Sequence, residues 1–216
     1  VKRLNVSLDT LDADKFKKIT RLGELSSVLK GIQAAKEAGF EKIKLNAVIL
    51  KNRNQDEVTD LVNYAIAEGL DISFIEEMPL GVINSHSREE AYCSSDEIRQ
   101  TIEQSFDLVS SQESTGGPSK YYNVEGSKSL IGFISPHSHN FCSSCNRVRV
   151  TASGLLLLCL GQEHSMDLKR VLRANPTDLN RVKQALVESM DLKPEGHDFD
   201  MAEKPVIFRH MSVTGG

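Results

Sequence analysis

Residues 3–9, RLNVSLD, set Leu4, Val6 and Leu8 on one side of an extended chain and Arg3, Asn5, Ser7 and Asp9 on the other. That period of two marks a strand, and it opens an alternation of strands with helices that restricts the fold more than any other feature of the chain. Residues 24–38 place Leu25, Val28, Leu29, Ile32 and Ala35 at helical spacing, with Gly39 standing where a C-cap glycine belongs. Residues 43–50, IKLNAVIL, read as a second strand. Asn54 with Glu57 has the form of a capping box and predicts a helix carrying Val58, Leu61, Val62, Ala65 and Ile66, closed by Gly69. Residues 72–75 supply a third strand. Strands alternating with helices through short connections predict parallel pairing and right-handed crossovers.

The strands are not apolar on both faces, as those of a closed parallel sheet usually are. Asn5, Ser7, Lys44 and Asn46 share one side, and Ile43, Leu45, Ala47 and Ile49 take the other. A solvated face and the inner wall of a barrel holding a polar ligand both satisfy this pattern.

After Met78-Pro79-Leu80-Gly81 the style of the sequence changes. A polar loop spans residues 84–90, and Ser94 with Glu97 forms a second capping box. A Ser/Gly-rich loop covers residues 110–117, strands are expected at 121–124 and 130–134, and helices at 167–173 and 178–190. The expected boundary lies near residue 80, dividing the chain into residues 1–80 and 81–216. Across its 216 residues, 26 basic and 30 acidic side chains leave a net charge of −4, and no apolar run nears the roughly 20 residues of a membrane span. These values exclude disordered, fibrous and strongly basic nucleic-acid-binding classes. An opening on Val1-Lys2-Arg3, already in strand pattern and without a signal peptide, leads us to expect further chain upstream.

Three of the four cysteines cluster. Cys142 and Cys145 form a C-x-x-C pair, Cys159 follows after thirteen residues, and Cys93, in an N-cap region, reads as an ordinary cysteine. Between Cys145 and Cys159, strand-like runs at 147–151 and 155–160 are joined by Ala152-Ser153-Gly154. A hairpin folded about Ala152 and Ser153 would set Cys145 nearly opposite Cys159 and bring the three thiols together. Zinc, with His137, His139 or His164 as a fourth ligand, and an iron–sulfur cluster both suit such a set. The histidines, His197 included, otherwise read as loop or surface residues. Arg147 and Arg149, two apart on a strand and so about 6.6 Å from each other, predict a paired phosphate clamp with Val148 and Val150 packed behind it.

Taken together, RLNVSLDTLD at 3–12, KIKLNAVILKNRNQDEV at 42–58, FIEEMPLG at 74–81, GPSKYY at 117–122, FCSSCNRVRVTASG at 141–154, Cys159 and the terminal Gly215-Gly216 carry a resemblance. The chain resembles the GTP 3′,8-cyclases of molybdenum cofactor biosynthesis, lyases of the radical S-adenosylmethionine superfamily. The resemblance implies an α/β fold: the C-terminal part of an incomplete parallel (β/α) barrel, followed by an α+β cluster-binding domain. It implies an auxiliary 4Fe-4S cluster on Cys142, Cys145 and Cys159 whose open iron binds the guanine of GTP. It further implies GTP contacts at Lys44, Arg147, Val148 and Arg149, S-adenosylmethionine contacts at Ser7, Asn46 and Met78, and a Gly215-Gly216 tail that enters the active site.

The same resemblance implies a cytoplasmic homodimer, without nucleic-acid or membrane partners, whose product passes to cyclic pyranopterin monophosphate synthase. In that chemistry a radical derived from S-adenosylmethionine removes the C3′ hydrogen of GTP, and C3′ then bonds to C8 to give 3′,8-cyclo-7,8-dihydro-GTP. The family's C-x3-C-x2-C motif, which holds the S-adenosylmethionine-cleaving 4Fe-4S cluster, has no counterpart among these residues. The expectation is therefore a portion of the enzyme that is inactive by itself. The competing reading is a zinc-stabilised binding domain, or another radical S-adenosylmethionine enzyme with an auxiliary cluster.

Overall fold

In the computed structural model, residues 1–201, 207–209, 211 and 214 are described. Gly215 and Gly216, expected as an active-site tail, lie outside the described residues. The chain forms two compact units: Val1–Glu77 with Glu90–Asn140, and Met78–Glu89 with Phe141–Gly216.

The first unit is built on a mixed α/β sheet. Strands β1 (Arg3–Ser7), β2 (Lys42–Val48) and β3 (Asp71–Ile75) alternate with helices α1 (Ala13–Thr20), α2 (Leu25–Glu37) and α3 (Val58–Glu68). A single helical turn, α4 (Arg88–Ala91), and helix α5 (Ser95–Glu103) follow, and then β4 (Leu108–Ser110), β5 (Lys120–Val124) and β6 (Leu130–Ile134). The sheet order is β1-β2-β3-β6-β5-β4. β1, β2, β3 and β6 run parallel, while β5 and β4 return antiparallel. Because β6 pairs with β3, a division at residue 80 does not describe this sheet: residues 90–140 complete the layer that residues 1–77 begin.

Leu45, Ala47, Ile72, Phe74, Ile131 and Phe133 cover one face of the sheet and pack against Ile32, Val58, Leu61, Val62, Ile98 and Ile102 of the helices. This buried layer is where apolar area is removed from water, worth about 25 cal/mol per Å². The Ser94–Glu97 capping box forms as expected, opening α5. Asn54 caps nothing: its amide accepts from the Leu50 N–H at 2.8 Å and donates to the carbonyls of Asp9 and Val48. The loop after β2 needs those backbone groups satisfied more than the helix needs a cap. Glu57 likewise serves the loop after β1, accepting from the Thr10 hydroxyl at 2.7 Å and the Leu11 N–H at 2.8 Å. Helix α1, unexpected from periodicity, begins where the Asp12 carboxylate caps the Lys15 N–H.

The second unit has a three-stranded sheet in the order β7 (Arg149–Val150), β8 (Leu155–Leu157), β9 (Ser165–Asp167), followed by α6 (Leu168–Ala174) and α7 (Leu179–Met190). Leu80, Leu156, Leu157, Leu158, Ala185 and Ile207 are its buried apolar residues among the described ones. Among the described residues no helix is long and apolar enough to cross a membrane.

Candidate functional site

In the first unit the polar side of the sheet is organised in rows. Parallel register sets Ser7 beside Asn46, Asn46 beside Ser73 and Ser73 beside Gly132, and antiparallel register adds Tyr121. The row is tightly made at Gly132, where a Cβ would stand 2.2 Å from the Ser119 Oγ and 2.7 Å from the Ser73 Oγ. The Ser73 and Ser119 hydroxyls are themselves 2.9 Å apart. Asn46 Oδ1 is buried with no hydrogen-bond partner. Lys44, on the same face, extends its ammonium to within 3.2 Å of the Tyr121 hydroxyl, which also meets the Thr115 Oγ1 at 3.2 Å. Burial would raise the Tyr121 phenol, but Thr115 and the Lys44 cation outweigh it and hold the group below its ordinary value.

Sequence reasoning missed Glu76, a fully buried carboxylate at the end of β3. It accepts the N–H groups of Ser95 at 2.8 Å, His137 at 2.9 Å and Ser138 at 3.1 Å, together with the Ser138 hydroxyl. Burial alone would push its carboxyl up, yet these donors hold it below the usual range. His137 and His139 are occupied within this unit, by the Glu77 carbonyl and the Asp96 carboxylate. Cys93 is buried in the core, its thiol pushed up to about 11 by desolvation and by Glu97, as befits an inert cysteine.

The second unit holds the other three cysteines. Cys142–Ser144 forms one 3₁₀ turn, closed by the Cys145 N–H on the Cys142 carbonyl at 3.0 Å. The hairpin beyond it is centred on Ser153, so each partner lies one residue later than expected: Arg149 pairs with Leu157 and Val150 with Leu156. Gly154, at φ +85°, and the Thr151 hydroxyl, accepting from the Leu155 N–H, make the turn. Continuing that register sets Arg147, not Cys145, opposite Cys159. Burial raises the Cys159 thiol, with the Cys142 and Cys145 charges adding to it and the Gly161 N–H and Lys193 opposing. Burial would raise Cys145 as well, but the N–H of Arg147, the Lys193 ammonium and the Arg147 guanidinium lower it. Among the described residues no three His, Cys, Asp or Glu side chains gather as the ligands of a single metal ion.

The arginine pair keeps its alternation with the faces exchanged. Arg147 and Arg149 are half-buried, whereas Val148 is 40% and Val150 57% exposed. The valines do not pack behind the clamp: along residues 147–150 the arginines are the more buried side chains. Arg147 lies over the Phe141 ring at 5.4 Å, and Arg149 reaches the Thr214 carbonyl at 3.5 Å. Burial, then the charge of Arg147, lowers Arg149. Met78 is half-buried in this unit, and its carbonyl accepts from the Leu80 N–H at 2.7 Å.

The Molybdenum Cofactor Synthesis C family matches residues 70–199, more than half of the chain. The chain belongs to that family. Molybdenum Cofactor Synthesis C therefore accounts for the segment bearing Cys142, Cys145, Cys159 and both arginines, while residues 1–65 match the Radical SAM superfamily. The whole chain is 58% identical to proteins named GTP 3′,8-cyclase from Saccharophagus degradans and from Ectopseudomonas mendocina, covering 65% of each. It is 57% identical over 215 residues to one from Pseudomonas putida, covering 64% of it. The chain thus spans slightly less than two thirds of the length of these relatives.

Proposed function

We propose that this chain is the substrate-binding, cluster-bearing portion of a GTP 3′,8-cyclase, which converts GTP to 3′,8-cyclo-7,8-dihydro-GTP in molybdenum cofactor biosynthesis. The observation that carries the reading is the placement of Cys142, Cys145 and Cys159 in one unit, flanking the β7–β8 hairpin, beside the paired guanidiniums of Arg147 and Arg149. The donor chemistry fits an iron–sulfur cluster: three cysteine sulfurs, with the Lys193 ammonium 3.9 Å from that of Cys145. A zinc ion would ask its sulfurs to approach within about 3.8 Å of one another, given Zn–S bonds of about 2.3 Å. When bound, a 4Fe-4S cluster on three cysteines offers one iron to a donor atom of the guanine. Arg147 and Arg149 then hold phosphate oxygens through charge-assisted bonds, and Val148 lies between them along the chain. Lys44, kept in place by Tyr121, is a further GTP contact.

The four parallel strands, apolar towards the helices and polar opposite, support reading the first unit as the back portion of an incomplete (β/α) barrel. Ser7 and Asn46, neighbours in its polar row, are its S-adenosylmethionine contacts, with Met78 as a third; Asn46 Oδ1 awaits the donor that such a ligand carries. S-adenosylmethionine and the cluster that cleaves it supply the radical chemistry. This chain's share is orientation, holding C3′ and C8 at reacting distance so that little entropy is lost at the barrier. Gly215 and Gly216 complete the set as the active-site tail. In the whole enzyme we take the assembly to be a cytoplasmic homodimer whose product is consumed by cyclic pyranopterin monophosphate synthase.

Anaerobic reconstitution of the 216-residue chain with iron and sulfide tests the reading. About four irons and four sulfides per chain are expected, lost in Cys142→Ala, Cys145→Ala and Cys159→Ala and retained in Cys93→Ala. Tightly held zinc without sulfide overturns it.

A further inference from the structure

The paired part of the β7–β8 hairpin ends at Arg149 and Leu157, just before the residues that carry Cys145 on one limb and Cys159 on the other. Where the ladder stops, a single side chain takes over. The Lys193 ammonium donates to the carbonyl of Arg147 at 3.2 Å and to the carbonyl of Leu158 at 2.8 Å, one on each limb. It also stands 3.9 Å from the Cys145 Sγ. The segment that Lys193 begins continues along the other cysteine limbs. At Gly196 a Cβ would sit 3.8 Å from the Cys142 Cβ, and His197 and Phe199 close on Gly161, two residues beyond Cys159. The His197 and Phe199 rings stack at 4.1 Å, giving that end of the segment a rigid face.

We propose that Lys193 is a positioning residue for the three-thiolate cluster, fastening the Cys145 and Cys159 limbs together and placing one positive charge against the thiolates. The proposal rests on the cluster reading of the three thiols. Each electron added to the cluster makes it more anionic, so a fixed cation stabilises the reduced state more than the oxidised one. Two backbone carbonyls on separate limbs share one donor, so removing it unties one limb from the other beyond the last β7–β8 pair.

The test compares Lys193→Gln, which loses the charge, with Lys193→Arg, which keeps it, in the reconstituted chain. Redox titration followed by electron paramagnetic resonance, together with the rate of iron loss to a chelator, gives two readouts independent of turnover. Lys193→Gln is expected to weaken the preference for the reduced state about tenfold, which is about 59 mV more negative for a one-electron couple, and to speed iron loss. Lys193→Arg should stay near the parent in both. A Lys193→Gln variant with the parent potential and iron retention overturns the proposal, as does Lys193→Arg matching Lys193→Gln. Failure of the parent chain to take up iron and sulfide would instead strike the cluster reading itself.

Discussion

The Lys44 ammonium and the Tyr121 hydroxyl meet at 3.2 Å, joining two residues 77 positions apart on neighbouring parts of one sheet face. Tyr121 is 2% exposed, so the lysine is held by a group that itself cannot move. Tyr121→Phe keeps the ring and deletes the acceptor. It should lower stability by about 1 kcal/mol, the usual worth of such a bond, and weaken GTP binding by the cluster-loaded chain several-fold. Calorimetric titration with GTP checks the second effect; unchanged affinity would separate Lys44 from the nucleotide.

Arg147→Ala removes a guanidinium that the proposed function assigns to phosphate. GTP affinity of the reconstituted chain should fall by about 1.5–3 kcal/mol, and GTP should lose more than guanosine does. Equal losses for the two ligands would place the side chain away from the phosphates.

Gly132 is fixed by what surrounds it. Gly132→Ala would drive a Cβ into the Ser119 and Ser73 hydroxyls and the Tyr121 ring, 2.2, 2.7 and 2.8 Å away. Overpacking of this kind costs about 1–3 kcal/mol, read as a lower denaturation midpoint. Adding Ser119→Gly should recover part of the loss, because the nearest clash is then gone.

Acid should loosen the first unit through Glu57. Burial pushes its carboxyl up, but Thr10, Lys15 and the Leu11 N–H more than offset this, and the group titrates below its ordinary 4.5. A carboxyl depressed on folding contributes stability that is fully present above its unfolded pKa and disappears as pH falls through the folded value. Urea midpoints from pH 7 downwards should therefore drop below about pH 4.5, and Glu57→Gln should be less stable at pH 7 with a shallower acid decline. Glu76, shifted in the same direction, keeps that decline from vanishing.

Local pattern carried much of this architecture. The strands announce themselves by alternation, α5 by Ser94 and Glu97, and the proposed cluster site by the spacing of Cys142, Cys145 and Cys159. What escaped is what local pattern does not encode. Lys193 lies 48 positions from Cys145 and looks like any surface lysine until its two carbonyl partners are seen. Glu76 reads as one acid among others in IEEMP, and only the fold surrounds it with N–H donors. Asn54 and Glu57 have the letters of a capping box, yet tertiary demands on the loops after β1 and β2 claim both side chains. The faces of Arg147–Val150 were reversed because alternation gives two sides of a strand without saying which is inward.

The in-register row Ser7, Asn46, Ser73 and Gly132 also governs how the sheet assembles. A one-residue slip of β2 against β1 or β3 would turn Lys44 and Asn46 towards the helices and present Leu45 and Ala47 to the polar side. Every odd-numbered slip of β2 thus buries a charge and exposes apolar area together. Selectivity in pairing is therefore supplied by the residues proposed to meet the ligands, and it is in place before any ligand arrives.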